Sequence, residues 1–500
     1  MPVCGGVAIT SRCFSREKVE EVSEAVKNAP PATEKSLNRR VTALAVVAAI
    51  GGFLFGFDSS VINGAVNSIG TTFHIASAAS GIVVASALIG CAVGAYLGGR
   101  FADRWGRIRV MFIAAILFFA SSILAGIAFA TWDFIIWRLV GGLGIGIASV
   151  IAPAYISEVA PKGIRGRLGS FQQLAITLGI FAALGSDQLF AIIGGSADGM
   201  IGPFPAWRWM FIVGVIPSVI YGVLALRLPE SPRYLAGEGR RDEARDVLKQ
   251  IVPTETVETN LHDIEDAIEK EAQLTKKSSV RGHRFGLQPI VWVGIILAIF
   301  QQFVGINVIF YYSNTLWQAV GFKESQSFLI STITSVVNVA VTFVAIALVD
   351  RVGRRPMLLA GSIGMTVSLA FMAISFSQSH LVKGLPQLPG AWGPIALVAA
   401  NLFVISFGAT WGPLMWVLLG EMFPPSIRAA ALGIGSSANW IANFVVTVAF
   451  PALAAVSLTL SYGIFALFAF LSLIFVYFKI KETKGRSLEE MGSEPVHATA

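Results

Sequence analysis

Twelve long apolar runs constrain this chain more than any other feature of its sequence. A membrane-spanning helix needs about 20 mostly apolar residues, and the runs have about that length. They lack the strict alternation of apolar and polar residues that marks the strands of a membrane barrel, so we predict helices. The predicted spans cover residues 41–63, 79–99, 109–130, 134–156, 169–191, 207–227, 288–313, 327–349, 357–377, 393–419, 429–452 and 457–480.

The composition agrees with this prediction and excludes other classes of protein. Hydrophobic residues make up 55% of the 500 residues and charged residues 13%, and the mean hydropathy is +0.70. A soluble domain carries about 25% charged residues, so this chain lacks the charge to cover a surface that faces water. Three cysteines are too few for a disulfide scaffold. We therefore predict an all-α integral membrane protein.

Lysine and arginine are distributed unevenly between the loops that join the runs. Four arginines lie between residues 100 and 109, and basic residues also follow the fourth and eighth runs, whereas residues 64–78 and 131–133 hold none. Cytoplasmic loops carry the excess of Lys and Arg, so we predict that the even-numbered loops and both termini are cytoplasmic, in a cell (plasma or inner) membrane. The same asymmetry accounts for the formal net charge of +7, so nucleic acid is not an expected partner.

A charged segment divides the runs into two sets of six. Residues 229–286 predict short cytoplasmic helices, and the stretch from Arg241 to Ile251 has the spacing of an amphipathic helix. Residues 1–40 are mixed and charged, without the pattern of a cleaved signal peptide. The predicted parts are an N-terminal tail (1–40), an N-terminal six-helix bundle (41–228), a cytoplasmic helical linker (229–286), a C-terminal six-helix bundle (287–480) and a C-terminal tail (481–500).

The two sets of six share landmarks at their cytoplasmic ends. The pattern Asp-Arg-x-Gly-Arg follows the second run at 103–107 and the eighth run at 350–354. A Glu seven residues before an Arg follows the fourth run at 158–165 and the tenth at 421–428. A repeated six-helix unit in one orientation is the arrangement of parallel-repeat transporters, which bind substrate between the two halves near the middle of the membrane.

Acidic and basic side chains at these helix ends predict a gate at the cytoplasmic mouth. They are expected to pair across the mouth when it closes. An exposed pair contributes about 0–1 kcal/mol, and several together bias a rocking equilibrium. Topology alone explains some of the arginines, but acidic residues contribute little to topology. The predicted gate residues are Asp103, Arg107, Glu158, Arg165, Glu230, Arg233, Asp350, Arg354, Glu421 and Arg428.

Asp58 and Arg138 are ionisable residues inside predicted spans, and such residues are costly and usually functional. Each lies about five residues from the outer end of its span, and the two spans run in opposite directions, so both lie at a similar depth and could meet. A nearby Arg favours the ionised carboxylate, and separation in apolar surroundings favours the protonated form. Making and breaking the pair would therefore take up and release a proton. A permanent structural ion pair is the alternative.

The seventh run contains uncharged polar residues. Gln and Asn amides both donate and accept hydrogen bonds, so they suit a polar ligand. Gln301, Gln302 and Asn307 lie near the middle of this run, and Gly305 permits a helix break that turns them inward. Asn307 and Tyr311 are four residues apart and share a helix face.

These motifs together resemble the sugar porter branch of the major facilitator superfamily over roughly residues 41–490. The motifs are Gly99-x-x-x-Asp103-Arg104-x-Gly106-Arg107, Pro153-x-Tyr155-x-x-Glu158, Arg165-Gly166-Arg167, Pro229-Glu230-Ser231-Pro232-Arg233, Gln301-Gln302-x-x-Gly305-x-Asn307, Gly412-Pro413-x-x-Trp416 and Glu482-Thr483-Lys484-Gly485. Two cytoplasmic positions depart from the pattern. Ile346 stands where the second copy of the first motif could carry Gly, and Lys481 replaces the Pro usual before Glu-Thr-Lys-Gly.

The resemblance implies site residues. Proton-coupled symporters of the family carry an acid at the Asp58 position and an Arg at the Arg138 position, whereas passive glucose facilitators commonly carry Asn at the former. Phe55, one turn before Asp58, would contact the sugar and link its presence to the acid. The implied sugar-binding residues are Phe55, Gln173, Gln301, Gln302, Asn307, Tyr311, Asn338, Trp416, Asn439 and Trp440.

The leading hypothesis is proton-coupled uptake of a monosaccharide, a hexose or a pentose, by alternating access through two six-helix bundles. An uncoupled facilitator of the same fold and a polyol or inositol carrier are the alternatives, and a non-transporting sensor is more remote. An enzyme is not expected, because all five histidines fall in predicted loops, linker or tail and no nucleophile–base pair is evident. We expect a monomer in the lipid bilayer, with no metal and no cofactor beyond the proton gradient.

Overall fold

The computed structural model describes residues 34–161, 165–277, 280, 282, 286–382, 385–423 and 427–483. In this part of the chain, 12 helices, some of them broken, are long and apolar enough to cross a membrane. Every predicted run overlaps one of them. Most of the two predicted tails lies outside the described residues.

The helices are called spans 1 to 12 in chain order. Spans 1 to 6 are Glu34–Thr72, Ser77–Trp105, Arg107–Gly126, Thr131–Val159, Arg165–Gly194, and the pair Ala206–Ile212 and Val215–Ala225. Spans 7 to 12 are the set Pro289–Phe303, Ile306–Tyr311 and Ser313–Ala319, then Glu324–Val352, Arg354–Ser377, Trp392–Met422, Arg428–Val456 and Leu458–Lys479. Two antiparallel hairpins follow spans 5 and 9, Met200–Ile201 with Phe204–Pro205 and His380–Val382 with Leu385–Gln387.

Span 1 is longer than predicted. The prediction placed a loop from residue 64, but the helix continues to Thr72. Polar residues such as Asn67 lower the hydropathy there, yet they are not loop residues, because the Asn67 side chain accepts a hydrogen bond from Thr315 at 2.9 Å. The polar end of span 1 therefore packs on span 7.

Two spans are interrupted at the residues that sequence analysis singled out. Gly305 adopts a left-handed conformation with φ of 82°, and span 7 breaks there. A side chain at this position would also collide with the Phe465 ring. Span 10 contains a π-helical turn at Phe407–Trp411, just before Pro413, which has no N–H to continue a regular ladder.

Close helix packing within the first half depends on small residues. A Cβ at Gly142 of span 4 would collide with the Ala87 carbonyl of span 2, and one at Gly56 of span 1 would collide with the Ile176 carbonyl of span 5. Small residues at such crossings let membrane helices approach to backbone contact. This packing makes the first half a firm unit.

The end of the bundle that holds Arg107 and Arg354, predicted to be cytoplasmic, is called the inner end, and the opposite end the outer end. At the outer end the two halves are in contact. Five hydrogen-bonded pairs of described residues join them: Asn63–Asn314 (3.0 Å), Asn67–Thr315 (2.9 Å), Asn67–Gln318 (3.3 Å), Ala197–Glu324 (2.9 Å) and Leu184–Thr332 (3.4 Å). The outer end is therefore closed in this structure.

The segment between spans 6 and 7 is helical, as predicted. It contains the helices Pro232–Gly237, Arg241–Ile251 and Val257–Lys277 and the 3₁₀ turn Thr254–Thr256. The apolar face predicted for the second helix is buried, including Val247 and Ile251. A hydrogen bond of 2.8 Å from Arg40 to Gln250 ties this helix to the start of span 1.

Candidate proton and substrate sites

Asp58 of span 1 and Arg138 of span 4 form a buried ion pair. The Arg138 Nη1 atom lies 2.6 Å from Asp58 Oδ1, and the same guanidinium donates to the Asp58 carbonyl at 3.3 Å. The two residues are 5% and 1% exposed. The structure thus brings together the two residues that topology placed at one depth.

The pair is incompletely satisfied. Asp58 Oδ2 and Arg138 Nε have no hydrogen-bond partner in the described part of the chain. A fully engaged Arg–carboxylate pair would use two parallel hydrogen bonds. A single short contact holds the charges together and leaves one carboxylate oxygen available for a proton.

Four amide side chains form a hydrogen-bonded cluster between spans 7 and 11, here called the amide cluster: Gln301, Gln302, Asn307 and Asn439. Gln302 Nε2 donates to Asn439 Oδ1 at 3.1 Å, and Asn307 Nδ2 donates to Gln302 Oε1 at 2.7 Å. Asn439 Nδ2 donates to Gln301 Oε1 at 2.7 Å. Neutral groups that both donate and accept can exchange these partners for the hydroxyl groups of a ligand.

The breaks in spans 7 and 10 position this cluster. Gln301 Nε2 donates to the carbonyls of Trp411 and Gly412, at 3.2 and 3.3 Å, where the π-helical turn ends. Irregular backbone inside a membrane is tolerated where it is buried in protein or lines a cavity. The break at Gly305 separates Gln302 from Asn307 and still leaves their side chains in contact.

Aromatic groups connect the amide cluster to the ion pair. The Phe55 ring packs edge-on against Trp440, with centroids 5.3 Å apart. The Tyr311 hydroxyl accepts a hydrogen bond from Asn443 at 3.5 Å. Phe55, Asp58, Arg138 and Tyr311 line one cavity of about 10 Å³. That volume is about the least that holds a single water molecule.

Three further residues implied by the resemblance lie outside the amide cluster. Gln173 of span 5 is half-buried and makes no hydrogen bond with another described residue. Asn338 of span 8 is buried, with its side-chain oxygen against Gly408 in the π-helical turn. Trp416 of span 10 follows Gly412 by one turn toward the inner end and is 39% exposed. In the described part of the chain, none of these three forms a hydrogen bond with the four amides.

At the inner end of the first half, predicted gate residues form a network. Arg107 binds Glu158 through two hydrogen bonds of 3.1 and 2.9 Å, and Asp103 at 3.3 Å. Glu230 accepts from the backbone N–H of Arg107 at 3.0 Å and of Ile108 at 3.3 Å. Anionic groups are favourable at a helix N-terminus, and span 3 begins there.

The second half repeats this network with equivalent groups. Arg354 binds Glu421 at 3.2 and 2.9 Å, and Glu482 accepts from the backbone N–H of Arg354 and Arg355 at 3.0 Å each. The internal repeat found in the sequence is thus a repeat of hydrogen bonds as well.

The ion pairs described at the inner end lie within one half or the other, and pairing across a closed inner mouth stays a prediction. The reason is geometric, since each Arg and its Glu end neighbouring helices of one bundle. Arg233 is half-buried in helix Pro232–Gly237. The side chains of Arg165, Asp350 and Arg428 lie outside the described residues.

A family model described as "Sugar (and other) transporter" matches residues 44–494. The chain belongs to the sugar porter family. Two curated relatives of this sugar porter are a glucose transport protein of Synechocystis sp., 51% identical over 449 residues (89% of this chain, 95% of the relative), and a D-xylose-proton symporter of Escherichia coli, 34% identical over 484 residues (90% of this chain, 95% of the relative).

Solved structures agree with this assignment. The partially occluded inward-open form of the E. coli xylose transporter XylE has a TM-score of 0.78 with 32% identity, covering 90% of this chain and 100% of that chain. The proton:xylose symporter XylE bound to 6-bromo-6-deoxy-D-glucose, a member of the major facilitator superfamily, has a TM-score of 0.75, covering 91% of this chain and 98% of that chain. The sugar porter therefore has the major facilitator fold of two six-helix bundles.

Sequence reasoning misses one polar residue of this sugar porter, Asp187, and assigns another, Asn443, to packing. Asp187 of span 5 is a buried acid whose carboxylate accepts a hydrogen bond from the Gly64 backbone at 3.1 Å. It lies inside the fifth apolar run, so the rule that singled out Asp58 would have found it. Asn443, one turn beyond Asn439, had no sequence signal beyond its polarity.

Proposed function

We propose that this chain is a secondary active transporter that takes up a monosaccharide, a hexose or a pentose, together with a proton by alternating access. The observation that carries the proposal is the ion pair of Asp58 and Arg138, 2.6 Å apart and one turn from Phe55. A transporter without coupling has no need of an ionisable carboxylate at this depth, where charge is costly. Relatives named as a glucose transport protein and a D-xylose-proton symporter support the substrate class.

Asp58 binds a proton when its ion pair with Arg138 breaks and releases the proton when the pair forms again. When the outer end is open, Asp58 binds an external proton, and its attraction to Arg138 is lost. Sugar binds beside it, the outer end closes, and the inner end opens. The proton then leaves to the inside, and the carboxylate pairs again with Arg138. The closed outer end and the intact pair of this structure correspond to that last state.

The amide cluster and the aromatic rings around it form the proposed sugar site. Without sugar the four amides satisfy one another and the carbonyls of span 10. Sugar hydroxyls replace these hydrogen bonds at little cost, because donors and acceptors are both present. Phe55 and Trp440 cover the apolar faces of the ring. Gln173, Asn338, Tyr311 and Trp416 contribute when the bundles close around the substrate.

The protein is proposed to act as a monomer in the lipid bilayer of a cell membrane, with both termini in the cytoplasm. The distribution of Lys and Arg supports this orientation. The proton gradient supplies the free energy, so no cofactor is needed.

Uptake of labelled glucose and xylose into proteoliposomes, with and without an inward proton gradient, tests the proposal. We expect the gradient to drive accumulation by the native chain. Asp58→Asn should abolish accumulation and keep sugar counterflow, because the amide cannot release a proton. Asp133→Asn is the matched control, because Asp133 only accepts hydrogen bonds, from Trp137 at 2.9 Å and Phe129 at 3.2 Å.

The other outcomes identify the alternatives. Accumulation that persists in Asp58→Asn would refute coupling through this residue. If sugar equilibrates across the membrane without accumulating in vesicles with the native chain, the protein is a facilitator. If the native chain transports inositol and neither sugar, it is a polyol carrier. Sugar binding without flux would indicate a sensor.

A further inference from the structure

Span 5 carries a second buried acid, Asp187, which the proposed coupling does not use. The residue is 0% exposed. Oδ2 accepts a hydrogen bond of 3.1 Å from the Gly64 backbone N–H of span 1. Oδ1 has no hydrogen-bond partner among the described residues. An ionised carboxylate is very unfavourable in such a place unless a cation or several donors compensate it.

The carboxyl occupies a space that span 1 leaves for it. A Cβ at Gly64 would lie 2.7 Å from the Asp187 Cγ atom, so a glycine is needed here. Ser60 lies one turn nearer the inner end on the same face of span 1. Its Oγ atom is also buried and without a partner in the described part of the chain. The carboxyl is thus held between two helices, away from water.

No described cation compensates Asp187. Span 5 packs against spans 1, 4, 6 and 8 and against the hairpin that follows it. Between the depth of the ion pair and the outer end, the charged groups of these elements have other partners or are exposed. Asp58 and Arg138 bind each other, and Arg208 binds the carbonyls of Gly126 and Ala128. Asp133 binds Trp137, Glu324 binds the Ala197 N–H, and Asp198 is exposed. The protonated, neutral form of Asp187 is therefore the one that fits this closed state.

Asp187 lies behind the contacts that close the outer end. One turn before it, the Leu184 carbonyl accepts a hydrogen bond from Thr332 of span 8 at 3.4 Å. Asn63, the neighbour of Gly64, accepts one from the Asn314 N–H of span 7 at 3.0 Å. The second half thus covers both segments that hold the carboxyl. Separation of the halves at this end gives water access to them.

We propose that Asp187 is a second proton-binding residue of the transport cycle, ionised while the outer end is open and protonated from outside before that end can close. This inference rests on the alternating access proposed above. One proton binds before closure, and the same proton returns to the same side when the outer end reopens. No proton crosses the membrane by this route. Asp187 therefore links closure to external pH without changing the number of protons carried per sugar.

The direction of the linkage follows from the two charge states. The closed state holds one more proton than the open state, so acidification favours closure and alkalinisation favours opening. One linked proton changes the ratio of open to closed molecules by at most about tenfold per pH unit. Asp187→Asn keeps an acceptor for the Gly64 N–H and carries no charge. Its ratio of open to closed molecules at the outer end should therefore be low and independent of pH.

Distances between spin labels at the outer end test this inference. The labels are placed at Thr71→Cys and Ser325→Cys, exposed positions in opposite halves, in the full chain with its native cysteines replaced by serine. The parent also carries Asp58→Asn, so that the ion pair does not titrate. We expect the long-distance population of the parent to rise toward alkaline pH, by up to about tenfold per unit. Asp187→Asn should abolish this rise.

Two further measurements keep the result interpretable. Asp187→Glu retains a carboxyl and should retain the pH dependence. An unchanged pH dependence in Asp187→Asn, or no pH dependence in the parent, would overturn the inference. Sugar counterflow by a chain that carries Asp187→Asn as its single substitution shows whether this variant folds and transports, independently of the distance measurement. A native chain that moves no sugar but shows the linked distance change would contradict the proposed function and leave the linkage standing.

Discussion

The Phe55 ring of span 1 meets the Trp440 indole of span 11 edge-on, with centroids 5.3 Å apart and planes at 66°. Phe55 lies one turn from Asp58, and Trp440 follows Asn439 of the amide cluster. This contact joins the half that carries the ion pair to the half that carries most of the proposed sugar site. A sugar between the rings would affect both halves at once.

Phe55→Leu should weaken sugar binding and coupling together. An aromatic pair contributes about 0.5–1.5 kcal/mol beyond its buried area, so the apparent affinity for sugar should fall about two- to tenfold. The number of protons carried per sugar should fall as well. Uptake kinetics at several external pH values measure both quantities.

Phe53→Leu is the matched control. Its ring stacks on Phe57 within the same span, with centroids 6.4 Å apart. An equal loss of affinity in Phe53→Leu would mean that general packing of span 1, and not the contact between Phe55 and Trp440, explains the effect.

The amide cluster predicts strong coupling between two of its members. A net hydrogen bond contributes about 0.5–1.5 kcal/mol, and Gln302 and Asn439 are joined to each other and to further partners. Gln302→Ala and Asn439→Ala should each weaken sugar binding by about tenfold, which corresponds to about 1.4 kcal/mol. The double variant should lose less than the sum of the two.

Equilibrium sugar binding to the purified variants, measured by tryptophan fluorescence or calorimetry, checks this. Asn401→Ala is the control, since the Asn401 amide donates to Leu397 of its own helix. Additive losses in the double variant would show that the two amides act on the sugar independently.

The inner-end networks predict that removing the equivalent glutamate charge in either half lowers the stability by a similar amount. Glu158→Gln and Glu421→Gln each remove the charge from a two-point Arg–carboxylate contact that is mostly buried. Hydrogen bonds to charged groups contribute about 1.5–3 kcal/mol, and partial exposure places the loss in the lower part of that range. Thermal unfolding in detergent should show a similar loss of stability for both.

Asp103→Asn is the control for these variants. Its side chain is 73% exposed, so removal of its contact with Arg107 should change stability little. A loss of stability as large as that of Glu158→Gln would contradict the expectation that the buried Glu158 contact stabilises the fold more than the exposed Asp103 contact.

Much of the fold follows from the sequence because apolar length and basic loops are strong signals in a membrane. The meeting of Asp58 and Arg138 follows as well, since topology fixes their depth. The partners of Arg107 do not follow, because spacing along the chain does not tell which helix ends lie side by side. The end of span 1 does not follow from the sequence, for a related reason. Asn67 has the polarity of a loop residue, and its tertiary contacts with Thr315 and Gln318 explain a helix there.

Hydrogen-bonded charged pairs in the segment between spans 6 and 7 predict that the stability of this segment depends on pH. A hydrogen bond from Arg245 to Glu258, 2.6 Å long, lowers the pKa of that carboxyl. A hydrogen bond from Lys249 likewise lowers the pKa of Asp246. A lowered pKa means that the paired form stabilises the linker at neutral pH, and that this contribution disappears as the pH falls through the lowered values.

Hydrogen exchange of helix Arg241–Ile251, corrected for the intrinsic rate, should therefore rise on acidification and, because the groups are exposed, with added salt. Glu258→Gln should make exchange faster at neutral pH and flatten its pH dependence. Glu255→Gln alters an exposed acid of the same segment and should leave the profile unchanged. A profile identical in native protein and Glu258→Gln would exclude the contact as its cause.

Proton movement on addition of sugar tests the central claim most directly. Proteoliposomes loaded with a pH-sensitive dye receive an inward gradient of a transported sugar and no pH gradient. The account predicts acidification of the lumen by the native chain, and sugar entry without acidification by Asp58→Asn. Sugar entry without any acidification by the native chain would contradict coupling through Asp58 and Arg138.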